Sequence, residues 1–464
     1  MLIKQEGSIM PVEDIDFRSK LTSSAEAVLR VLQSFEERKD AEIFDDADPD
    51  ASNLRKMVRT YRGSLYSEIT RRLTEVVTLG GVSVVTQRDV ISLVEEIWNS
   101  NVSRCSPTEL KVLEGVLEDS SLSLRSLSSV VELSYAQTRR AAQRLRASGV
   151  LRIKGLLNTN LLGLERVLII LENPTLVFSG PYIHKSLFVD SPAPTAFLVS
   201  TLPRERVPEL LKMIKSLRGT ASSVSAWKLS AGKPRFSSVY YNSKNGEWRP
   251  NLLHFRLVLR TGSDDITVGA RSSAPTIPSS AFTSAELKIL EKIVENYEAT
   301  AVEITESIGL SESTAFRKRS NLINKRVVIP RATVTIPKLK DRAIALLSPD
   351  CAGDIVPAWN QLPLTYVSRL ENLENQDEKK ILLLSALASG SASDIIDVLY
   401  SEKSRADDFT AYSVAGGITN PIRVASMFDR RERRWKWDPS FFDILSFGVV
   451  RNEGRKKDIP LDLA

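Results

Sequence analysis

The 464-residue sequence predicts an α+β chain: a helical N-terminal segment followed by two copies of a module that mixes short helices with strands. Three observations lead there. One segment returns at a fixed offset of 177 residues, Leu110 in the first copy answering Leu287 in the second. Each copy opens on three short helical runs. Each then continues with apolar strand-like stretches interrupted by an amphipathic helix.

Residues 1–103 belong to neither copy. Helical periodicity covers Phe17 to Arg38, Leu54 to Leu79 and Thr86 to Trp98, which suits a helical assembly or partner domain. The acidic run Glu36 to Asp50 holds eight carboxylates and reads as a solvated loop, the alternative being a decoy that competes with DNA for a basic surface.

Each copy begins with a capping box, Ser106 with Glu109 and Thr283 with Glu286, in which hydroxyl and carboxylate each satisfy a backbone N–H. Helices are predicted over Pro107 to Asp119, Leu124 to Val131 and Tyr135 to Ser148, and again over Ala285 to Tyr297, Ala301 to Ile308 and Glu312 to Lys325. Leu127 answers Ile304, Thr138 answers Ala315 and Leu145 answers Leu322. Ser134 and Ser311 are N-cap candidates for the third helices. Gly309 suits the turn before the third helix, whereas Glu132 in the first copy implies a different or more strained turn. The runs Val150 to Ile153 and Val327 to Arg331 read as strands that pair back onto their own unit. Three helices and a strand make a winged helix-turn-helix, placed at 104–160 and 281–337.

The rest of each copy follows the βαββαβ, ferredoxin-like order at 161–260 and 338–450. The second is the fuller, with strands Ala343 to Leu347, Thr365 to Glu371, Lys380 to Ala386 and Phe409 to Val414, and helices Ala352 to Gln361 and Ala392 to Tyr400. In the first, strands are read around Val167 to Leu171, Ser186 to Asp190, Thr195 to Ser200 and Ser222 to Leu229, with a helix Arg204 to Leu217. There Pro174, Gly180 and Pro181 shorten or replace the first helix. An aromatic, a charged turn and a tryptophan recur after both, as Tyr241 with Trp248 and Phe428 with Trp435, and these tryptophans are expected to pack. A Ser, Gly and Pro-rich linker occupies 261–280, and a basic tail 451–464.

Composition restricts the chemistry. The net charge of +6, with 42% hydrophobic and 26% charged residues, is ordinary for a globular chain. The absence of an 18-residue apolar run and the acidic residues near Met1 predict a cytoplasmic protein without a membrane span. Cys105 and Cys351 cannot form a disulfide framework, and together with His184 and His254 they lack paired zinc-ligand spacing. No phosphate-cradling loop, dinucleotide fingerprint or nucleophile elbow is present. No cofactor and no metal are expected.

The phrases VVELSYAQTRRAAQRLRASGVLRIKGLLNTNLLGLE and IGLSESTAFRKRSNLINKRVVI resemble helix two, turn, recognition helix and exit strand of the Lrp/AsnC family of bacterial and archaeal transcription regulators. The resemblance implies a helix-turn-helix joined to a small regulatory domain in each copy, and a transcription regulator that binds double-stranded DNA. The third helices carry Arg139, Arg140, Arg144 and Arg146, and Arg317, Lys318, Arg319, Lys325 and Arg326. Cations meet phosphates, and long hydrogen-bonding side chains reach base edges. The candidate DNA-binding residues are therefore Tyr135, Gln137, Thr138, Arg139, Arg140, Gln143 and Arg144, with Ser313, Thr314, Arg317, Lys318, Arg319 and Asn321. Further basic clusters lie at Arg430, Arg431, Arg433, Arg434 and Lys436, and at Arg451, Arg455, Lys456 and Lys457.

The resemblance also implies that two regulatory domains in one chain form an intrachain pseudo-dimer, with two dissimilar recognition helices and a possible homodimer through the N-terminal domain. It implies a small-molecule effector, toward which Gly390, Gly416 and Gly417 could allow close backbone approach. The expectation from the sequence is thus a regulator and not an enzyme. The alternatives are an enzyme of the siroheme-decarboxylase type on the same scaffold, for which His184 and His254 are the histidines available, and a protein-interaction scaffold that has lost DNA binding.

Overall fold

The computed structural model describes residues 17–37, 49–262, 276–402, 409–438 and 442–455, and the chain divides into two compact units, 1–104 and 105–464. The middle of the acidic run, most of the linker and Lys456 with Lys457 lie outside the described residues.

The first unit is helical: α1 (Ser23–Glu36), α2 (Pro49–Thr60), α3 (Leu65–Gly80) and α4 (Gln87–Val102). Leu32, Leu65, Ile69, Val90 and Val94 form its fully buried centre. The single helix expected over Leu54 to Leu79 is in fact two. The chain breaks at Gly63, whose φ of 110° no helical residue adopts, and Ser64 then caps α3.

The second unit begins with α5 (Pro107–Glu118), α6 (Leu124–Val130) and α7 (Tyr135–Ser148), then β1 (Leu151–Leu157). The first half of its main sheet is β2 (Leu164–Glu172), β4 (Ile183–Ser191), β5 (Thr195–Pro203) and β6 (Ser223–Leu229), with β3 (Leu176–Ser179) between β2 and β4 and α8 (Val207–Ser216) before β6. There follow β7 (Lys233–Phe236), the hairpin β8 (Tyr241–Asn242) and β9 (Glu247–Trp248), and α9 (Leu252–Thr261). The repeat then supplies α10 (Ser284–Glu295), α11 (Ala301–Ile308), α12 (Glu312–Asn324) and β10 (Val328–Val334). Its sheet half is β11 (Asp341–Leu347), α13 (Ala352–Trp359), β12 (Leu364–Asn372), β13 (Lys379–Leu387), α14 (Ser391–Glu402) and β14 (Phe409–Thr419). Last come the hairpin β15 (Phe428–Asp429) and β16 (Arg434–Trp435), then β17 (Asp443–Ser446) and α15 (Phe447–Gly454).

The two sheet halves join into one closed ring of eight strands, in the order β13, β11, β14, β4, β5, β2, β6, β12 and back to β13. Strands of different copies meet at two seams. The β4–β14 seam carries register shifts, and the β6–β12 seam is Leu370–Leu229, Glu371–Lys228 and Asn372–Trp227. Val167 to Leu171 of β2 is an unbroken apolar run because both its faces are covered, Val167, Ile169 and Leu171 by helices outside and Leu168 and Ile170 from within the ring. In the first copy β3 replaces the first helix.

One expectation about the exit strands is corrected. They do not pair back onto their own units but with each other: Leu151 lies opposite Val334 and Leu157 opposite Val328. Lys154 faces Arg331, its own counterpart at the 177-residue offset, as a twofold axis through that point requires. The tails are exchanged too. α9, which follows the first half, packs on α13 and α14 of the second, while β17 pairs with β3 and α15 packs on β14 and β4. The two copies therefore cannot separate without exposing both tails.

Candidate nucleic-acid interface

The third helices are positioned by local signals that the sequence carries in full. Ser106 with Glu109 and Thr283 with Glu286 form complete capping boxes on α5 and α10. The Ser134 hydroxyl accepts from the Gln137 N–H, and the Gln137 side chain returns the bond to the Ser134 N–H at 3.0 Å. Ser311 makes no such cap; its hydroxyl donates to Thr314 Oγ1 at 2.8 Å. The turn before α12 uses Gly309 at φ 74°, and the turn before α7 reaches a similar left-handed conformation with Glu132 at φ 54°, a strained choice for a residue with a Cβ.

On α7 the exposed residues are Tyr135, Ala136, Gln137, Arg139, Arg140, Gln143 and Ala147. Three candidates are drawn elsewhere. Thr138 is fully buried and donates to the Ser134 carbonyl at 3.1 Å, which corrects its place among base-reading residues. Gln137 serves as the cap described above. Arg144 pairs at 3.3 Å with the buried carboxylate of Glu109, bracing α7 against α5. Arg146 reaches Glu298 of the other copy at 2.6 Å.

On α12 the exposed face is Glu312, Ser313, Phe316, Arg317 and Asn324. Lys318 lies 3.5 Å from Glu286 and donates to the Thr283 hydroxyl at 3.4 Å, so it ties α12 to the start of α10. Burial pushes the Glu286 carboxyl up, but the bonds from Thr283 and Lys318 outweigh it and hold the group below the ordinary glutamate range. Arg319 donates to the Tyr297 carbonyl at 3.0 Å, and Thr314 and Asn321 are half-buried. Of the α12 cations expected to face a ligand, Arg317 is the one the fold leaves fully outward.

The glycines considered for an effector have another explanation. A Cβ on Gly416 would lie 2.9 Å from backbone atoms of Gly454 and Arg455, so this glycine admits the end of α15 rather than a ligand. Gly390 is a turn residue at φ 84°. Trp248 and Trp435 are both buried, and the Trp435 indole donates to the Leu162 carbonyl at 2.8 Å.

A second concentration of charge, unforeseen in the sequence, lies at one mouth of the ring. Arg166 pairs in register with Thr201, and Lys185 with Val199, so both point to the inner face, opposite the helix-covered Val167 and Leu198. Arg166, His184 and Lys185 are all buried, and Arg331 lies 5.3 Å over the Tyr366 ring. No sequence motif marks these positions; Arg166 and Lys185 sit on β2 and β4, the two strands that flank β5.

Among the described residues no helix is long and apolar enough to cross a membrane, and none of their His, Cys, Asp and Glu side chains cluster as metal ligands. Compared with known proteins, no family model matches the chain and no curated protein matches it. Among solved structures, the crystal structure of the siroheme decarboxylase NirDL is similar, at 11% identity and a TM-score of 0.37, over 68% of this chain and 92% of that one. That structure is an enzyme's, which corrects the expectation that this chain is not an enzyme.

Proposed function

We propose that the chain is a transcription regulator of the Lrp/AsnC type that binds double-stranded DNA through the exposed faces of α7 and α12. In this reading each three-helix unit is a winged helix-turn-helix joined to a ferredoxin-like domain. One observation carries it: the antiparallel β1–β10 ribbon relates the two three-helix units about an axis at Lys154 and Arg331. Paired helix-turn-helix units related in this way read two half-sites on one face of a duplex. The outward Arg139 and Arg140 on α7 and Arg317 on α12 supply cations for phosphates and guanine edges. Because the two faces differ, the half-sites are dissimilar.

The test is fluorescence anisotropy of the full chain with labelled promoter fragments across a salt series. Wild-type affinity should fall steeply with salt, and both Arg139→Ala/Arg140→Ala and Arg317→Ala should weaken it. Absence of binding at low salt would overturn the reading.

A second reading, an enzyme acting on a carboxylated tetrapyrrole, is favoured by the buried Arg166, His184 and Lys185. A shift of the siroheme absorption bands on mixing with the chain that is lost in Lys185→Met would support it; a spectrum identical to that of free siroheme would dismiss it.

A further inference from the structure

Each sheet half is followed by a short hairpin, and the two hairpins are mounted alike. Tyr241 pairs with Trp248 in the first, and Phe428 with Trp435 in the second. A glutamate at the repeat-equivalent position of the first helix holds each. Glu114 of α5 accepts from the Ser238 N–H at 3.3 Å and its hydroxyl at 2.6 Å, and Glu291 of α10 accepts from the Ala425 N–H at 2.8 Å. In the second hairpin Phe428 and Trp435 are buried in the cluster that holds Leu287, Ile304 and Leu322 of the second three-helix unit. The Ser279 hydroxyl donates to the Arg433 carbonyl at 3.2 Å. Ser279 shortly precedes Thr283, to which Lys318 of α12 is bonded. Hairpin turn and α12 thus flank the same end of α10.

The two turns differ in charge. The first reads Ser243-Lys244-Asn245-Gly246, with glycine at φ 71°. The second reads Arg430-Arg431-Glu432-Arg433, and the equivalent position holds an arginine at φ 51°, a conformation that strains any residue with a Cβ. Asp429 closes this turn by accepting from the N–H groups of Arg431 at 2.8 Å and Glu432 at 3.1 Å. Arg430, Arg431, Arg433, Arg434 and Lys436 are all exposed, and among the described residues the ion pair recorded for them is Arg434 with Glu432. The neighbouring helix presents less outward positive charge than α7: Phe316 stands on α12 where α7 has Arg139, and Glu312 where α7 has Tyr135, while Arg317 answers Arg140. In the first unit the outward arginines Arg139 and Arg140 stand on the helix; in the second the helix presents Arg317, and the hairpin turn carries further outward arginines.

We propose that the β15–β16 hairpin is a phosphate-binding wing, in which Arg430, Arg431 and Arg433 grip the backbone of the duplex that α12 enters. The proposal rests on the DNA-binding reading above. Guanidinium groups suit this task because they bond two phosphate oxygens at once, and backbone contacts fix register without reading sequence. The strain at Arg433 and the mutual repulsion of the arginines have no counterpart in the first turn, which closes the same hairpin without them.

The experiment uses the full chain, a labelled mixed-sequence DNA duplex and anisotropy from about 50 to 200 mM salt. The variant is Arg430→Ala/Arg431→Ala/Arg433→Gly, whose glycine suits the left-handed position and preserves the turn. Loss of three phosphate contacts lowers the salt slope by about 2.7, so the affinity gap between wild type and variant narrows about 40-fold across that range. The triple lysine variant should keep most of the slope. Wild-type slope and affinity in the hairpin variant, with binding lost in Arg139→Ala/Arg140→Ala, would overturn the wing and leave the DNA reading standing. A wild-type chain that binds no duplex would overturn both.

Discussion

Gly155→Ala should loosen the second three-helix unit from the ribbon that joins the copies. Gly155 lies in the middle of β1 opposite Pro330, on the face that packs against α10. A Cβ there would sit 2.5 Å from Val328 Cγ2, 2.6 Å from the Ile293 carbonyl oxygen and 3.0 Å from Val294 Cα. Two of these are backbone atoms of α10, which cannot rotate away, and the Tyr297 N–H bonded to the Ile153 carbonyl at 3.0 Å pins that same end of the helix to β1. Relief requires α10 to move outward by roughly 0.8 Å, a gap that forfeits a quarter to a half of the dispersion contact along the moved surface. Overpacking of this kind costs about 3 kcal/mol, the upper end of the usual range, because backbone must give. Gly309→Ala is the comparison: at φ 74° with no atom within 4 Å of the added Cβ, it meets conformational strain alone, about 1 kcal/mol. Urea unfolding of the three proteins, followed by tryptophan fluorescence, measures both. Equal stability of Gly155→Ala and wild type would refute the packing argument, and so would a larger loss in Gly309→Ala.

Two further outcomes concern charge. Asp190 is ion-paired with Arg451 at 2.6 Å and accepts a hydrogen bond from Arg455, clasping α15 onto the β4–β14 seam; burial pushes its carboxyl up, but the two guanidinium groups outweigh this and hold it below the usual aspartate range. A depressed acid stabilises the fold at neutral pH and loses that contribution as pH falls through its folded value, so Asp190→Asn should cost about 1 kcal/mol near neutrality, discounted for partial exposure, and nothing in acid. A constant deficit across that pH range in urea titrations would count against the clasp. Glu291 has the opposite sign, since burial pushes its carboxyl above the ordinary glutamate value. Its contribution is present at low pH and lost as pH rises through the folded value, so Glu291→Gln, which keeps an oxygen for the Ala425 N–H, should raise the urea midpoint near neutrality and leave it unchanged in acid. Destabilisation at neutral pH would show that the ionised form is the favoured one.

The helices of the three-helix units, their caps and the repeat itself were legible in the sequence because each depends on residues within one or two turns of each other. Ser106 with Glu109, Thr283 with Glu286 and the buried Leu127, Ile304, Leu145 and Leu322 are where periodicity and capping place them. The basic residues on the third helices were legible as a set, but their division was not. Whether an arginine on α7 or α12 faces outward or braces a neighbour depends on carboxylates and carbonyls of other helices, Glu109 for Arg144, Glu286 for Lys318 and the Tyr297 carbonyl for Arg319.

Strand partners were beyond local reading for the same reason. An exit strand offers unpaired N–H and C=O groups to any partner, and nothing within Val150 to Ile153 distinguishes its own unit from the other copy. The β1–β10 ribbon, the closed ring and the exchanged tails are decided by burial summed over both copies: Gly416 yields space to α15, and Tyr240, Phe255 and Leu259 complete the core beneath α13 and α14. The sequence by itself determined two related modules, their helices and the charge they carry; tertiary structure alone decided which charges face solvent, through partners on neighbouring segments 22 to 35 positions away, and that the two modules close into one body, through strand pairings between residues more than a hundred positions apart.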